Sequence, residues 1–201
     1  MQYEQAIYGY KQSIDRQSGS AELWDNLGMA YSSVGWYDLA INAHKKAIEI
    51  KPDLDNAWNN LGFTYNKNKQ YHLAIQAHLE ALRINPERDI VWNNLGMDYN
   101  ALSQTEQAIA AYKEALRINP EYAITWRNLG INYGKMNKYE QANQAFFEAI
   151  RIEPDYTDAW VSLGSLYARQ GLRDKVLEVY STLKKLDSSK AEIFFKTFIL
   201  P

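Results

Sequence analysis

The sequence repeats itself every 34 residues, and this period constrains the fold more than any other feature. Five of the six tryptophans keep it: Trp24, Trp58, Trp92, Trp126 and Trp160. A leucine, a glycine and a tyrosine follow each of these tryptophans after three, four and seven residues. A period of this length, kept at several positions at once, indicates an array of similar supersecondary units.

The spacing within one unit predicts two amphipathic helices. The first carries its stripe at i, i+3, i+4 and i+7, as in Trp58, Leu61, Gly62 and Tyr65. The second carries Ala74, Ala77, Ala81 and Ile84. Glycine inside a helix costs about 1 kcal/mol relative to alanine, so its recurrence predicts a close approach of the paired helix.

Prolines mark the end of each unit. Four of them keep the period: Pro52, Pro86, Pro120 and Pro154. Proline removes an amide donor and biases its predecessor away from the helical conformation. We therefore expect each proline to follow the end of a second helix.

These residues, with the recurring small Ala74 and Ala81, resemble the tetratricopeptide repeat family over nearly the whole chain. The resemblance implies an all-α fold, a right-handed α-α superhelical solenoid of helix-turn-helix repeats. In register, the five full repeats span residues 21–54, 55–88, 89–122, 123–156 and 157–190, the last being divergent. Residues 1–20 then fit the second helix of a partial repeat or an N-terminal cap, which is typical of a piece of a longer array. Residues 191–201, rich in Phe and Ile, are expected to form a C-terminal capping helix.

The resemblance also implies that the first helices line the concave face of the solenoid. The sixth position of the repeat faces this groove in the register used here, and four repeats carry asparagine there: Asn26, Asn60, Asn94 and Asn128. The ladder is similar to that of superhelical domains such as that of O-linked N-acetylglucosamine transferase. It implies that asparagine amides hold the backbone of an extended peptide. The alternative is that these amides bond between neighbouring repeats.

Further positions on the same helix faces complete the candidate peptide-binding set. They are Asn59, Asn93 and Arg127, the apolar row Met29, Phe63, Met97 and Ile131, and then Asn66, Asn100, Lys67 and Lys135. Asp25 and Glu22 predict an acidic start of the groove, and the cations predict a more basic region after Lys67. The alternative is that these charges are only solvated.

Other binding modes of helical repeats are disfavoured by residue type. A chaperone-type carboxylate clamp has lysine, asparagine and arginine at the groove positions where Asp25, Met29 and Asn94 stand here. The chain has 22 basic and 24 acidic side chains, a formal net charge of −2, whereas nucleic-acid binders show a strongly basic face. We therefore expect a protein or peptide partner and no nucleic acid.

Signals of catalysis or of a cofactor are weak. The chain has no cysteine, which excludes thiolate chemistry. His44 and His78 occupy one repeat position that is aromatic elsewhere, which predicts half-buried rings roughly 8 to 10 Å apart rather than ligands of one metal ion. His72 is expected at the surface, and Glu80 with Arg83 predicts a local ion pair that recurs in two later repeats. No enzyme activity, cofactor or metal is predicted.

The sequence thus favours a protein–protein interaction module with a scaffold or adaptor role. Two alternatives remain open: the substrate-recruiting region of a larger enzyme such as a glycosyltransferase, and a scaffold that assembles with itself through open repeat ends. No apolar run approaches the roughly 18 residues that a membrane span needs, so no membrane insertion is expected. The cytoplasm is the default location.

Overall fold

The computed structural model describes residues 2–17 and 20–200, and it describes side chains for residues 4–14 and 20–200. Residues 1, 18, 19 and 201, which belong to the predicted leading half repeat and the predicted cap, lie outside the described residues. Within the described part, all regular structure is α-helical and no strand occurs. The chain divides into two compact units, residues 1–104 and 105–201.

Unit 1 contains six helices that pair as antiparallel neighbours along the chain. They are α1 (Gln2–Gln17), α2 (Ala21–Ser33), α3 (Tyr37–Ile50), α4 (Asp55–Lys67), α5 (Tyr71–Ile84) and α6 (Asp89–Ala101). Helix α1 packs on α2, where Ile7 joins one buried cluster with Leu27 and Tyr31. Helix α1 thus packs on the first helix that follows it, as α3 packs on α4.

Unit 2 repeats this arrangement with its own six helices. They are α7 (Thr105–Ile118), α8 (Ala123–Lys135), α9 (Tyr139–Ile152), α10 (Thr157–Arg169), α11 (Arg173–Leu186) and α12 (Ser188–Phe198). Each second helix before a proline ends two residues ahead of it, as α9 does at Ile152 before Pro154. The prediction that prolines follow the ends of second helices is confirmed.

The turn between the two helices of a repeat requires one residue in the left-handed region. Five residues adopt it, with φ of 57 to 80°: Gly35, Lys69, Ser103, Asn137 and Gly171. The following amide returns to the carbonyl of the repeat tyrosine, from Gln70 to Tyr65 at 2.8 Å and from Lys138 to Tyr133 at 3.0 Å. This bond closes a Schellman-type end, which explains why three residues other than glycine accept this backbone conformation.

The repeat glycine makes room for a ring from the second helix. A Cβ atom built on Gly28 would lie 2.6 Å from the ring of His44, on Gly62 2.6 Å from His78, and on Gly130 2.7 Å from Phe146. At Gly164 the ring that fills this space is Phe194 of α12. The expected close approach of the paired helix is therefore confirmed, and an aromatic ring is what approaches.

The repeat tryptophan closes the junction between two repeats, which the sequence analysis did not anticipate. Its indole Nε1 donates to the carbonyl of the proline six residues before it, from Trp58 to Pro52 (2.9 Å), Trp92 to Pro86 (2.9 Å), Trp126 to Pro120 (2.7 Å) and Trp160 to Pro154 (3.0 Å). A proline carbonyl keeps its acceptor capacity although the residue lacks a donor. The same short link thus recurs in both units.

The predicted ion pairs of the second helices are present. Arg83 donates to Glu80 at 2.8 Å, and the equivalent pairs in α7 and α9 join Arg117 to Glu114 and Arg151 to Glu148. All are exposed, so each contributes modestly.

Helix α12 covers the fifth repeat but begins earlier than expected. It starts at Ser188 rather than at residue 191, because the Asp187 side chain accepts the N–H of Lys190 at 3.0 Å and caps the new helix. Phe194 is buried, and the Phe195 ring centroid lies 5.1 Å from that of Tyr180 in α11. Part of the apolar C-terminal segment, Phe194 and Phe195, thus packs against the fifth repeat.

Candidate functional site

The first helices of unit 1 form a concavity of about 680 Å³. We call this concavity, between α2, α4 and the start of α6, the unit 1 groove. Six of the predicted binding residues line it: Met29, Asn59, Asn60, Phe63, Lys67 and Asn94. Ile90 and Tyr37 complete much of its apolar wall. Positions far apart in the sequence are brought together here because equivalent faces of successive first helices lie side by side.

An exposed apolar row runs along this groove. Met29 is 49% exposed, Phe63 43%, Ile90 47% and Met97 41%. Met29, Phe63 and Ile90 line the unit 1 groove together, and exposed large apolar side chains that share one concavity are typical of an interaction surface. The predicted apolar row therefore exists as an accessible surface in unit 1.

The asparagine amides of the ladder bond between repeats. Asn60 Nδ2 donates to Asp25 Oδ2 at 3.0 Å, and Asn94 Nδ2 donates to Asn59 Oδ1 at 3.2 Å. In each case the sixth position of one repeat bonds to the fifth position of the repeat before it. An asparagine amide has a second N–H and an oxygen, so these bonds orient the side chain and use only part of its capacity. Asn26, at the start of the ladder, is exposed.

Asp25 does not make the groove acidic, contrary to expectation. Its carboxylate is 6% exposed because Oδ1 lies 2.7 Å from His44 Nδ1 while Oδ2 accepts from Asn60. Among the described residues that line the unit 1 groove, Lys67 is the one with a fixed charge. Its Nζ lies 5.1 Å from the ring centroid of Phe63, which holds the cation over an apolar surface.

A second buried histidine–aspartate pair, after that of His44 and Asp25, joins α5 to α6. His78 Nδ1 lies 2.6 Å from Asp98 Oδ2, and Asn66 Nδ2 donates to Asp98 Oδ1 at 2.6 Å. His78 and Asp98 are 1% and 0% exposed. The half-buried Asn66 is therefore part of a buried hydrogen-bond network and is not held for ligand contact alone.

Two further predictions need correction. Asn93 is 3% exposed and does not line the unit 1 groove, and its Nδ2 lies 3.7 Å from the sulfur of Met97 in the same helix. His44 and His78 are fully buried rather than half-buried, as Tyr112 and Phe146 are at the same repeat position, and each histidine has an aspartate partner. A signal was present in the sequence: aspartate stands 20 residues after His78 and 19 before His44, at positions held by other residue types elsewhere. His72 is exposed, as predicted.

Unit 2 has a smaller concavity of about 380 Å³ along its own first helices. We call it the unit 2 groove. Ile131, Lys135 and Arg169 line it, together with Ser162 at the ladder position. Arg127 crosses to the next repeat, where its Nε donates to Ser162 Oγ at 3.1 Å. The predicted basic character of this later region is thus present in the side chains around the groove.

Some predicted site residues, Asn128 and Asn100 among them, are not among the described residues that line the two grooves. Asn128 of unit 2 is half-buried, as is Asn100 at the end of α6. Asp158 contacts Lys190 at 2.7 Å, and this hydrogen bond lowers the pKa of the carboxyl below its usual 3.8. Burial raises the pKa of the nearby Tyr156 hydroxyl.

Neither a metal centre nor a membrane span is evident in the part of the chain that the structure describes. Among those residues, no three His, Asp or Glu side chains come together in a way that could hold a metal ion. No described helix is both long and apolar enough to cross a bilayer.

The tandem helical hairpins, the glycine–ring contacts and the exposed face of the first helices define a helical repeat protein of the interaction-module class. Models of the tetratricopeptide repeat family match residues 53–121 and 87–155, and related repeat models match residues 33–69 and 127–190. The chain belongs to the tetratricopeptide repeat (TPR) family. The predicted all-α class of helix-turn-helix repeats is thereby confirmed.

Solved structures of TPR proteins resemble this chain over most of its length. MamA matches with a TM-score of 0.75 and 26% identity, over 83% of this chain and 97% of that chain. PilF of Pseudomonas aeruginosa matches with a TM-score of 0.80 and 22% identity, over 93% and 85%. YrrB, described as a TPR protein with an unusual peptide-binding site, matches with a TM-score of 0.72 and 21% identity, over 94% and 97%. A search of curated proteins gives no match.

Proposed function

We propose that this chain is a non-catalytic protein-interaction module that holds an extended peptide segment in the grooves of its first helices. The observation that carries the proposal is the convergence of six predicted residues on the concavity of unit 1, with exposed apolar side chains beside oriented amides. The likeness to YrrB supports the same class of function, since that TPR protein is described with a peptide-binding site.

In this proposal the inter-repeat bonds of the ladder prepare the site. Asn60 and Asn94 each donate one N–H to the preceding repeat, and Asn60 Oδ1 also accepts from Asn59 at 3.5 Å, so binding costs little further side-chain entropy. The second N–H and the oxygen of each amide then bond the C=O and N–H of a peptide backbone, whatever its side chains are. The two alternatives for the ladder, ligand contact and inter-repeat bonding, thus operate together.

The groove surface also specifies the ligand's side chains. Met29 and Phe63 offer apolar contact to alternate residues of an extended segment, and methionine adapts to varied shapes. Lys67, with no acidic neighbour among the described lining residues, favours a ligand with a carboxylate next to the apolar side chain. Hydrogen bonds of about 0.5 to 1.5 kcal/mol each, less the cost of ordering the peptide, give an affinity in the micromolar range.

A display selection of random peptides on the purified chain tests this function. Phe63→Ala removes the centre of the apolar row without touching any inter-repeat hydrogen bond, so we expect the selected peptides to bind at least about tenfold more weakly. Leu79→Ala is the matched control, because Leu79 is equally exposed at 43% but lies on α5 outside the groove. Its affinity is expected to equal that of the unmodified chain.

The ladder is tested separately with Asn26→Ala, since Asn26 is exposed and its loss spares the buried networks. A drop of about threefold to tenfold in affinity is expected if its amide bonds the peptide. Peptides that bind the Phe63→Ala variant as tightly as the unmodified chain would place the binding site elsewhere. A selection without any enriched motif would reject peptide binding and favour self-association.

A further inference from the structure

A second pair of depressions lies away from the grooves, one in each unit, at equivalent repeat positions. We call them the outer crevices. The crevice of unit 1 opens between α1 and α3 above α2 and measures about 500 Å³. The crevice of unit 2 opens between α7 and α9 above α8, three repeats later, and measures about 380 Å³. Both volumes fall within the roughly 300 to 1,000 Å³ that is usual for ligand sites.

The floor of each outer crevice is the stripe of the first helix. It consists of Trp24, Leu27 and Tyr31 in unit 1 and of Trp126, Leu129 and Tyr133 in unit 2. The leucines and tyrosines are buried and the tryptophans are half-buried, so the indole faces are the accessible part. An aromatic floor of this kind favours a large apolar or aromatic side chain.

Small residues on the second helix keep these crevices open. Ala43 and Ala145 stand at the same repeat position, and both line a crevice. The fifth repeat has Val179 there, which places two more methyl groups at this point. Replacing alanine by the valine of the fifth repeat is therefore a substitution that would narrow a crevice.

The rims of both crevices are cationic. Lys11 in unit 1 and Lys113 in unit 2 occupy equivalent positions, and no acidic side chain lies among the described residues that line either crevice. Lys46 and Arg117 add a second cation on each rim, although each is paired with a glutamate of its own helix. Amides of Asn42 and Gln144 stand beside them. The same combination of aromatic floor, cation and amide thus appears twice.

The outer crevices share no lining residue with the grooves of the same unit. Helix α2 presents Trp24 and Leu27 to the crevice and Met29 to the groove, since these residues lie on different faces of one helix. Occupation of one site therefore leaves the other accessible.

We propose that the outer crevices are binding sites for a short acidic segment of a partner protein, anchored by one large apolar side chain. The anchor contacts the indole of Trp24 or Trp126, and flanking carboxylates pair with Lys11 or Lys113. Charge complementarity selects this ligand, because a basic or neutral segment gains the same apolar contact without the ion pair. The two crevices bind independently.

Nuclear magnetic resonance of the whole chain tests this proposal, with a synthetic peptide in which one phenylalanine is flanked by acidic residues. We expect the indole N–H signals of Trp24 and Trp126 to shift on titration, while that of Trp160 in the fifth repeat stays unchanged. A peptide with basic residues around the phenylalanine is expected to bind at least about fivefold more weakly.

Single substitutions provide internal controls. Lys113→Glu is expected to weaken the response of Trp126 about fivefold and to leave that of Trp24 unaltered. Lys45→Glu, an exposed change on α3 outside the crevice, is expected to alter neither. Ala145→Val, which copies the fifth repeat, is expected to abolish the Trp126 response while Trp24 reports that the chain remains folded.

Three outcomes of the peptide titrations would overturn the proposal. They are equal binding of the acidic and the basic peptide, shifts confined to the amides of Asn60 and Asn94 in the groove, and no shift of either indole at millimolar peptide. A shift of both indoles with protein concentration alone would assign the crevices to a second copy of the chain and would also reject an acidic partner segment.

Discussion

Two places in this molecule use one repeat position in opposite ways. In unit 1 the space beside Gly62 holds His78, which pairs with Asp98 and through it with Asn66. Two repeats later, in unit 2, the equivalent four residues are Gly130, Phe146, Leu166 and Gly134. A buried polar network and a wholly apolar arrangement therefore occupy the same architecture.

The difference shows that the repeat requires a ring at this point and leaves its chemistry open. Cβ atoms on Gly62 and Gly130 would approach the two rings equally closely, at 2.6 and 2.7 Å. A buried ring with a charged partner depends on that partner, because an unpaired buried charge costs several kcal/mol, whereas an apolar ring needs only close packing. The polar version is thus more vulnerable to a single change.

The largest expected effect follows from breaking the network at one residue. Asp98→Leu leaves the buried His78 and the amide of Asn66 without their acceptor, so we expect the free energy of unfolding to fall by about 3 to 5 kcal/mol. Urea unfolding followed by circular dichroism measures this loss. Asp53→Leu, an exposed change in the turn before α4, serves as the control and is expected to alter stability by less than about 0.5 kcal/mol.

Replacing the whole polar set of unit 1 by the apolar set of unit 2 tests the same comparison more directly. The triple variant Asn66→Gly, His78→Phe, Asp98→Leu transfers the unit 2 set into unit 1, and it is expected to recover most of the loss because apolar replacements of buried pairs are often neutral or stabilising. A triple variant as unstable as Asp98→Leu alone would show that unit 1 depends on the polar contacts themselves.

Substitutions at two glycines of α8 are expected to have the next largest effect on the free energy of unfolding. Gly130→Ala places a methyl group against the Phe146 ring and is expected to cost about 1 to 3 kcal/mol. Gly134→Ala, one turn later, meets the flexible ends of Leu166 at 3.3 Å and Arg169 at 3.9 Å, so the helix preference for alanine is expected to leave stability unchanged or raise it by up to about 1 kcal/mol. Equal effects of the two substitutions in thermal unfolding would contradict the space-filling role of the ring.

The smallest effect concerns the exposed charges of unit 2. Lys190 lowers the pKa of Asp158, so the pair stabilises the fold above the ordinary pKa of 3.8 and this contribution is lost as pH falls through the lowered value. Because both side chains are more than one-third exposed, we expect no more than about 0.5 kcal/mol. Lys190→Met should reduce the acid dependence of the urea midpoint, and an unchanged dependence would refute the assignment.

Features that depend on neighbours within one repeat were predictable from the sequence. The stripe at Trp58 and Leu61, the end of each second helix before proline, and the pair of Glu80 with Arg83 all involve residues a few positions apart, where helical geometry fixes the contact. The space beside the repeat glycine followed from the cost of glycine inside a helix.

Features that join different helices were not predictable in the same way. Asp25 and Asn93 share a groove register with Asn59, yet both are buried, and the partners of Asp25 come from α3 and α4. A repeat position indicates which face a side chain is on, but the residue it meets depends on the adjacent repeat. The bonds of the asparagine ladder and the aspartate partners of the histidines belong to this group.

The bond from four of the repeat tryptophans to the proline six residues earlier has a consequence for how such a chain lengthens in evolution. Because donor and acceptor are neighbours in the sequence, a duplicated stretch of 34 residues brings both halves of its own junction with it. Loss of one whole stretch likewise leaves no donor or acceptor stranded. The number of repeats can therefore change by gene duplication or deletion without any compensating mutation at these joints.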